Sequence, residues 1–313
     1  VRNDRERETG LRLEGIDGAN PLAFLAALGT LRGLSIAWPQ RLVQMSWEPR
    51  DAWRPRLLVD SASPNQEEVL GGLAVFADLR PGHEALGIGD DLSVAPDVFR
   101  RTAYRAAGSS SPSAAGRAAA DFIAGFGCEA VTERNRGDVI QDTALRTLRG
   151  AGHQHFLKTM RDLTECAAAD SLDRCLFQNW TRSDQRLSLR WDPEDDRRYA
   201  LRWRDPSKDA AGTEWGANRL AFEAIPLFPV APVGRTLATT GFRGSRANDT
   251  FFTWPIWEGP VGLDTVRSVL ACDELQKESP DRGRLAAMGI REVYRSQRLN
   301  AGRYRNFSPA RSA

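Results

Sequence analysis

Asn20-Pro-Leu-Ala-Phe-Leu-Ala-Ala-Leu-Gly-Thr-Leu-Arg32 is the stretch whose reading decides the fold class. Asparagine followed by proline reads as a helix N-cap with proline at the first helical position, where its missing N–H costs nothing. Leu22, Leu25, Leu28 and Leu31 fall on or near one stripe, and Ala23, Ala26 and Ala27 permit close packing. This helix is expected to end between Gly33 and Pro39. Upstream, residues 11–15 alternate as a short opening strand. Downstream, residues 41–60 read as two strands joined by the proline-rich Glu48–Pro55 segment, and 65–78 as a helix.

Ala107-Gly-Ser-Ser-Ser-Pro-Ser113 has the composition of a loop or boundary, and 114–178 reads as mainly helical between glycines. The second half changes character. Leu187–Trp191 and Tyr199–Trp203 are strand-like around a polar turn, 216–225 reads as a helix stopped by Pro226, and 235–240 and 250–257 as strands. A helix over about 264–276 then leads to a hairpin around Asn300-Ala-Gly302. The expected class is α+β, in three regions: N-terminal α+β over 1–110, mainly helical over 111–180, and strand-rich with a basic tail over 181–313.

A chain of 313 residues, 41% hydrophobic and 27% charged, is globular in composition and has no apolar run of bilayer length. Its charged N-terminus lacks the apolar core of a signal peptide. Cys128, Cys166, Cys175 and Cys272 form no C-x-x-C pair, which predicts a reducing, cytoplasmic setting without structural zinc. No membrane partner is expected.

Net charge is +2, yet only three of the 43 basic residues are lysine. Guanidinium forks bind phosphate in bidentate fashion and stack on bases, which ammonium groups cannot do. Codon bias accounts for the global preference, so placement has to carry the argument. Between Arg282 and Arg311 there are eight arginines against one acid, Glu292, with Tyr294, Tyr304 and Phe307 interleaved. Alternation along a 290–307 hairpin would project several guanidiniums to one side, where phosphates bind, with aromatic faces for bases. Arg291, Arg295, Arg298, Arg303, Tyr304 and Arg305 are therefore candidate nucleic-acid-binding residues. Arg243 and Arg246 join them, because the glycines of Gly241–Asp249 would let backbone approach a phosphate.

Catalytic signatures are weak. There is no phosphate-binding P-loop, dinucleotide fingerprint or nucleophile elbow, and the chain has three histidines. No enzyme activity and no cofactor are expected. The alternative is a metal-dependent nuclease acting on DNA or RNA through Asp192, Glu194, Asp195 and Asp196, since two-metal hydrolysis uses clustered carboxylates. Adjacent carboxylates on a turn seldom converge on one ion, so arginine pairing or turn chemistry is the favoured account. His153 and His155, two apart, would suit a metal only on a strand, whereas this segment reads as a helix start. Trp191, Trp203, Trp215, Trp254 and Trp257 are expected in the core.

Certain strings carry a resemblance. Leu13-Glu-Gly-Ile-Asp-Gly-Ala-Asn-Pro-Leu-Ala-Phe-Leu-Ala-Ala-Leu-Gly-Thr-Leu-Arg32 resembles the opening of CRISPR-associated proteins of the type I-G (formerly I-U) group. Arg190-Trp-Asp-Pro-Glu-Asp-Asp-Arg-Arg-Tyr-Ala200, Gly216-Ala-Asn-Arg-Leu-Ala221 and Thr253-Trp-Pro-Ile-Trp257 look like the same group. The resemblance implies a large-subunit-like component of a Cascade-type effector in antiviral defence. Its implied partners are a CRISPR guide RNA, target double-stranded DNA, the backbone and handle-binding subunits, and a helicase-nuclease recruited on target binding. Such a subunit helps recognise the motif flanking the target and stabilises opened DNA. This chain is shorter than typical large subunits, and no motif-reading residue carries over.

Overall fold

The computed structural model describes residues 10–133, 136–150, 154–195, 212–244, 249–301 and 304–313, with backbone alone at 136, 195, 301 and 304. Its helices are α1 Pro21–Ala37, α2 Gln66–Leu79, α3 Pro96–Gly108, α4 Ala118–Phe126, α5 Phe156–Cys166, α6 Ala169–Phe177, α7 Trp215–Phe222, α8 Leu263–Leu270 and α9 Arg282–Ala287. The strands of the first half are β1 Leu11–Arg12, β2 Val43–Pro49, β3 Trp53–Val59, β4 Gly127–Glu133 and β5 Arg136–Asp142. Those of the second half are β6 Asp184–Gln185, β7 Gly212–Thr213, β8 Val230–Val233, β9 Thr236–Thr239, β10 Phe242–Arg243, β11 Phe251–Trp257, β12 Ile290–Ala301, β13 Tyr304–Phe307 and β14 Arg311–Ser312.

The architecture is α+β, as expected. An antiparallel sheet ordered β1-β3-β2 and a longer one ordered β10-β11-β12-β13 lie near each other, with β14 closing on β12. They are tied where Met45 and Val261 exchange both backbone hydrogen bonds, at 2.9 and 3.0 Å. One principal core runs from Leu13 to Phe307 and draws on all three segments of the chain. Among the described residues, no helix is long and apolar enough to cross a membrane.

Helix α1 occupies the centre. Asn20 caps it as expected, its side-chain oxygen accepting from the N–H groups of Leu22 and Ala23 at 2.9 and 3.2 Å. The burial exceeds a stripe: nearly every residue from Pro21 to Ile36 is buried. Phe24 stacks on Trp47 and meets Trp254 and Trp257 on the sheet side. On the other side α7 crosses so closely that a Cβ on Gly29 would lie 1.7 Å from the Leu220 carbonyl oxygen. The small residues of the opening stretch thus serve helix–helix approach on one face while the large ones fill the aromatic layer.

Arg32, also on this buried helix, needs a counter-charge. It finds one in Glu223, just past α7, at 2.9 Å. The same carboxylate receives Arg219 at 2.6 Å and His83 at 2.7 Å. Burial alone would raise the Glu223 pKa, but Arg219, His83 and Arg32 outweigh it and hold the group down at about 2. Phe122 under Arg32, and Phe222 and Phe76 beside Arg219, flank the guanidiniums.

Two local expectations fail for physical reasons. Gly127–Asp142 is a hairpin, not helix: Val131, Thr132, Val139 and Ile140 are β-branched and the pairing is bulged. Leu187–Trp191 is buried from Leu189 onward but forms no strand. Its backbone partners are side chains: the Leu189 N–H donates to Asn218 Oδ1 and the Leu189 carbonyl accepts from Thr147 Oγ1. Positive φ at Arg186 and Arg190 interrupts the extended run. Tyr199–Trp203 lies outside the described residues. Trp191, Trp254 and Trp257 are core, each indole N–H bonded to a carbonyl, and Trp215 packs half-buried at its edge.

Replacing Glu223 by Gln leaves two buried guanidiniums without a counter-charge and is expected to cost about 3–5 kcal/mol in urea unfolding. A carboxylate with a lowered folded pKa stabilises fully above its unfolded value near 4.5 and loses that contribution as pH falls through about 2. In that acid window the Glu223→Gln variant should show a shallower loss of stability than wild type.

Candidate nucleic-acid interface

The basic tail does form a hairpin, β12–β13, with Arg298 opposite Phe307 and Asn300 opposite Arg305. It does not put its arginines on one side. Arg295 is odd and Arg298 even along a strand whose side chains alternate, so they leave opposite faces.

Arg291 pairs with Glu258, its Nε 2.7 Å from the carboxylate. Arg295 turns over the 275–278 segment and donates to the carbonyls of Lys277 (2.6 Å) and Glu278 (3.0 Å). Both therefore have partners within the chain. Arg243 lies over the Phe251 ring at 5.7 Å. Gly244 beside it has a φ of +78°, and a Cβ there would meet the Asp249 carbonyl oxygen at 1.5 Å, so this glycine permits a close approach of the chain to itself. Arg246, Arg303 and the Tyr304 side chain lie outside the described residues.

Arg298 and Arg305 go elsewhere, to the irregular segment after β5. Arg298 donates to the Ala144 carbonyl at 2.9 Å and Arg305 to the Arg146 carbonyl at 3.3 Å. Arg146 is buried, ion-paired with Asp142 and, at 2.9 Å, with Asp91, and it donates to Ser93 Oγ at 2.9 Å. Arg149, a third exposed, reaches Glu133 at 3.3 Å and Asp142 at 3.8 Å. The structure therefore gathers Arg146, Arg149, Arg298 and Arg305 around Asp142, with Asp91 and Glu133 at the margin.

The charges do not balance. Burial pulls Arg146 down, but Asp142 and Asp91 more than offset it and hold its pKa above the ordinary value. For Arg298 and Arg305 the compensation from Asp142 falls short of the cost of burial. Burial lowers Arg298 to about 10, with Arg149 adding to the effect against Asp142. Burial and the neighbouring Arg298 and Arg149 lower Arg305 to about 9. The Nε of Arg298 is buried with no hydrogen-bond partner among the described residues. An anion against the accessible rim of the cluster, where Arg149 is a third exposed, would relieve guanidinium repulsion.

Arg146 and Arg149 were missed from sequence because they lie in a stretch read as helix. A weak signal existed: Asp142-Thr-Ala-Leu-Arg146-Thr-Leu-Arg149 carries two arginines against one acid.

In the acidic turn, Asp192 makes structural contacts. Asp192 is buried, its Oδ1 accepting from Asn20 Nδ2 at 2.9 Å and its Oδ2 from Arg182 Nε at 2.9 Å. It ties the α1 cap to the second half and pairs with Arg182, while Arg197 and Arg198 lie outside the described residues. The Asp195 side chain and Asp196 lie outside the described residues. Among those described, no three His, Cys, Asp or Glu gather to hold a metal. His155 precedes α5 and faces Asp91 at 3.7 Å, and His153 lies outside the described residues. No protein-family model matches this chain, and no curated protein matches it.

Asp142→Asn removes the central counter-charge and is expected to destabilise by about 3–5 kcal/mol in chemical denaturation. Arg305→Met deletes a guanidinium that repels its neighbours. Its melting temperature should equal or exceed that of wild type, and a fall of several degrees would show that Arg305 stabilises the free fold.

Proposed function

We propose that this chain is a non-catalytic nucleic-acid-binding subunit of a CRISPR RNA-guided, Cascade-type surveillance complex. The observation that carries nucleic-acid binding is the gathering of Arg146, Arg149, Arg298 and Arg305 around Asp142, where cationic charge exceeds its local neutralisation. Phosphate contacts from such a cluster hold a backbone without reading its sequence. The place in a guided complex is supported by the strings at 13–32, 190–200, 216–221 and 253–257. In that role the chain would hold guide RNA and target DNA, assist recognition of the flanking motif and DNA opening, and meet backbone subunits and the recruited helicase-nuclease.

Fluorescence anisotropy with labelled duplex and single-stranded oligonucleotides, run across a salt series, tests the binding. Each phosphate contact contributes a slope of about −0.7 (single strand) to −0.9 (duplex) in log K against log salt. The double variant Arg149→Glu, Arg305→Gln should flatten that slope by one to two contacts. Salt-independent or undetectable binding by the wild type would overturn the proposal. Purification from its host should recover a discrete small RNA and repeated backbone subunits, and their absence would remove the assignment to a guided complex.

A further inference from the structure

Helix α3 begins two residues after Val94, whose carbonyl accepts from the Ile140 N–H at 3.0 Å, and three after Ser93, which receives Arg146. It therefore springs from the wall of the arginine cluster. Phe99 and Ala106 are its buried anchors. The opposite side exposes Asp97, Arg100, Arg101, Tyr104 and Arg105. Tyr104 is 73% exposed, the most exposed large hydrophobic side chain among the described residues. Arg100 and Arg101 stand four and three positions before it, neighbours on the helix surface, and Arg105 follows it.

Ordinary helix chemistry explains part of this face. Arg101 pairs with Asp97 at 2.7 Å over an i, i+4 spacing, and Arg105 sits in the last turn, where the helix dipole favours a cation. Neither effect accounts for a phenol ring left in solvent between guanidiniums. An aromatic face flanked by cations suits a base stacked on the ring with its phosphates held on either side. Duplex bases are already stacked on one another and offer no such face.

We infer that the exposed face of α3 is a second contact surface, for single-stranded nucleic acid, with Tyr104 as the stacking platform and Arg100 and Arg105 as phosphate contacts. This rests on the proposed nucleic-acid role and extends it to a strand leaving the arginine cluster. About 12 Å of helix separates Pro96 from Tyr104, so one short single strand reaches both.

The test uses the full chain with a fluorescently labelled pyrimidine single strand and a duplex of equal length. Tyr104→Ala is expected to weaken single-strand binding about tenfold, the size of one lost base stack, and to leave duplex affinity and melting temperature unchanged. Tyr104→Phe keeps the ring and should bind as wild type does. Arg100→Ala and Arg105→Ala should each reduce the single-strand salt slope by about 0.7. Unchanged single-strand affinity in Tyr104→Ala, beside a wild type that the Arg149→Glu, Arg305→Gln variant shows to bind through the cluster, would overturn this inference alone. Loss on Tyr104→Ala with no effect of the cluster variant would support α3 and overturn the cluster. Equal loss in Tyr104→Ala and Tyr104→Phe would replace stacking by a hydroxyl contact and overturn the inference.

Discussion

A helix buried on every side has no solvent for a charge, so the Glu223 carboxylate beneath Arg32 constrains the whole arrangement. Three cationic or protonatable groups from α1, from α7 and from the turn at residue 83 converge on one carboxylate that burial alone would keep neutral. The close crossing of α1 and α7 at Gly29 brings Glu223 within reach, and the aromatic layer of Trp47, Trp254 and Trp257 closes the opposite side. A shift of α7 along α1 would strand a charge, so this contact fixes register as well as distance.

The candidate site repeats the principle with the opposite outcome. Around Glu223, the carboxylate is held as the anion by its partners. Around Asp142, cations collect faster than anions, and Arg298 and Arg305 sit at depressed pKa values of about 10 and 9. A charge imbalance of this sort costs the free protein stability. It is retained at binding sites because the ligand supplies the missing charge.

What the sequence reveals follows from how local each signal is. The Asn20-Pro21 cap, the 43–59 strands and the terminal hairpin depend on residues next to one another, and all three form. The 127–142 hairpin was hidden because glycine-punctuated β-branched residues sat inside a stretch otherwise rich in helix formers. Leu187–Trp191 alternates like a strand, yet Asn218 and Thr147 take its backbone, partners that no local pattern announces. For the site, charge density in the tail pointed to Arg298 and Arg305. Strand parity then separated them from Arg291 and Arg295, whose partners are Glu258 and the carbonyls after Leu275. Arg146 and Arg149 acquire meaning only from tertiary contact.

Those contacts join residues 154 and 159 positions apart in the chain, Ala144 to Arg298 and Arg146 to Arg305. During synthesis, the half of the cluster that carries Asp142, with Asp91 and Glu133 beside it, leaves the ribosome long before the hairpin arginines exist. Its three carboxylates then outnumber its two guanidiniums, Arg146 and Arg149. The excess of guanidiniums at this cluster arises only when β12 and β13 dock, so in the course of synthesis the same spot passes from net acidic to net basic, a property of the assembled fold and of no single segment.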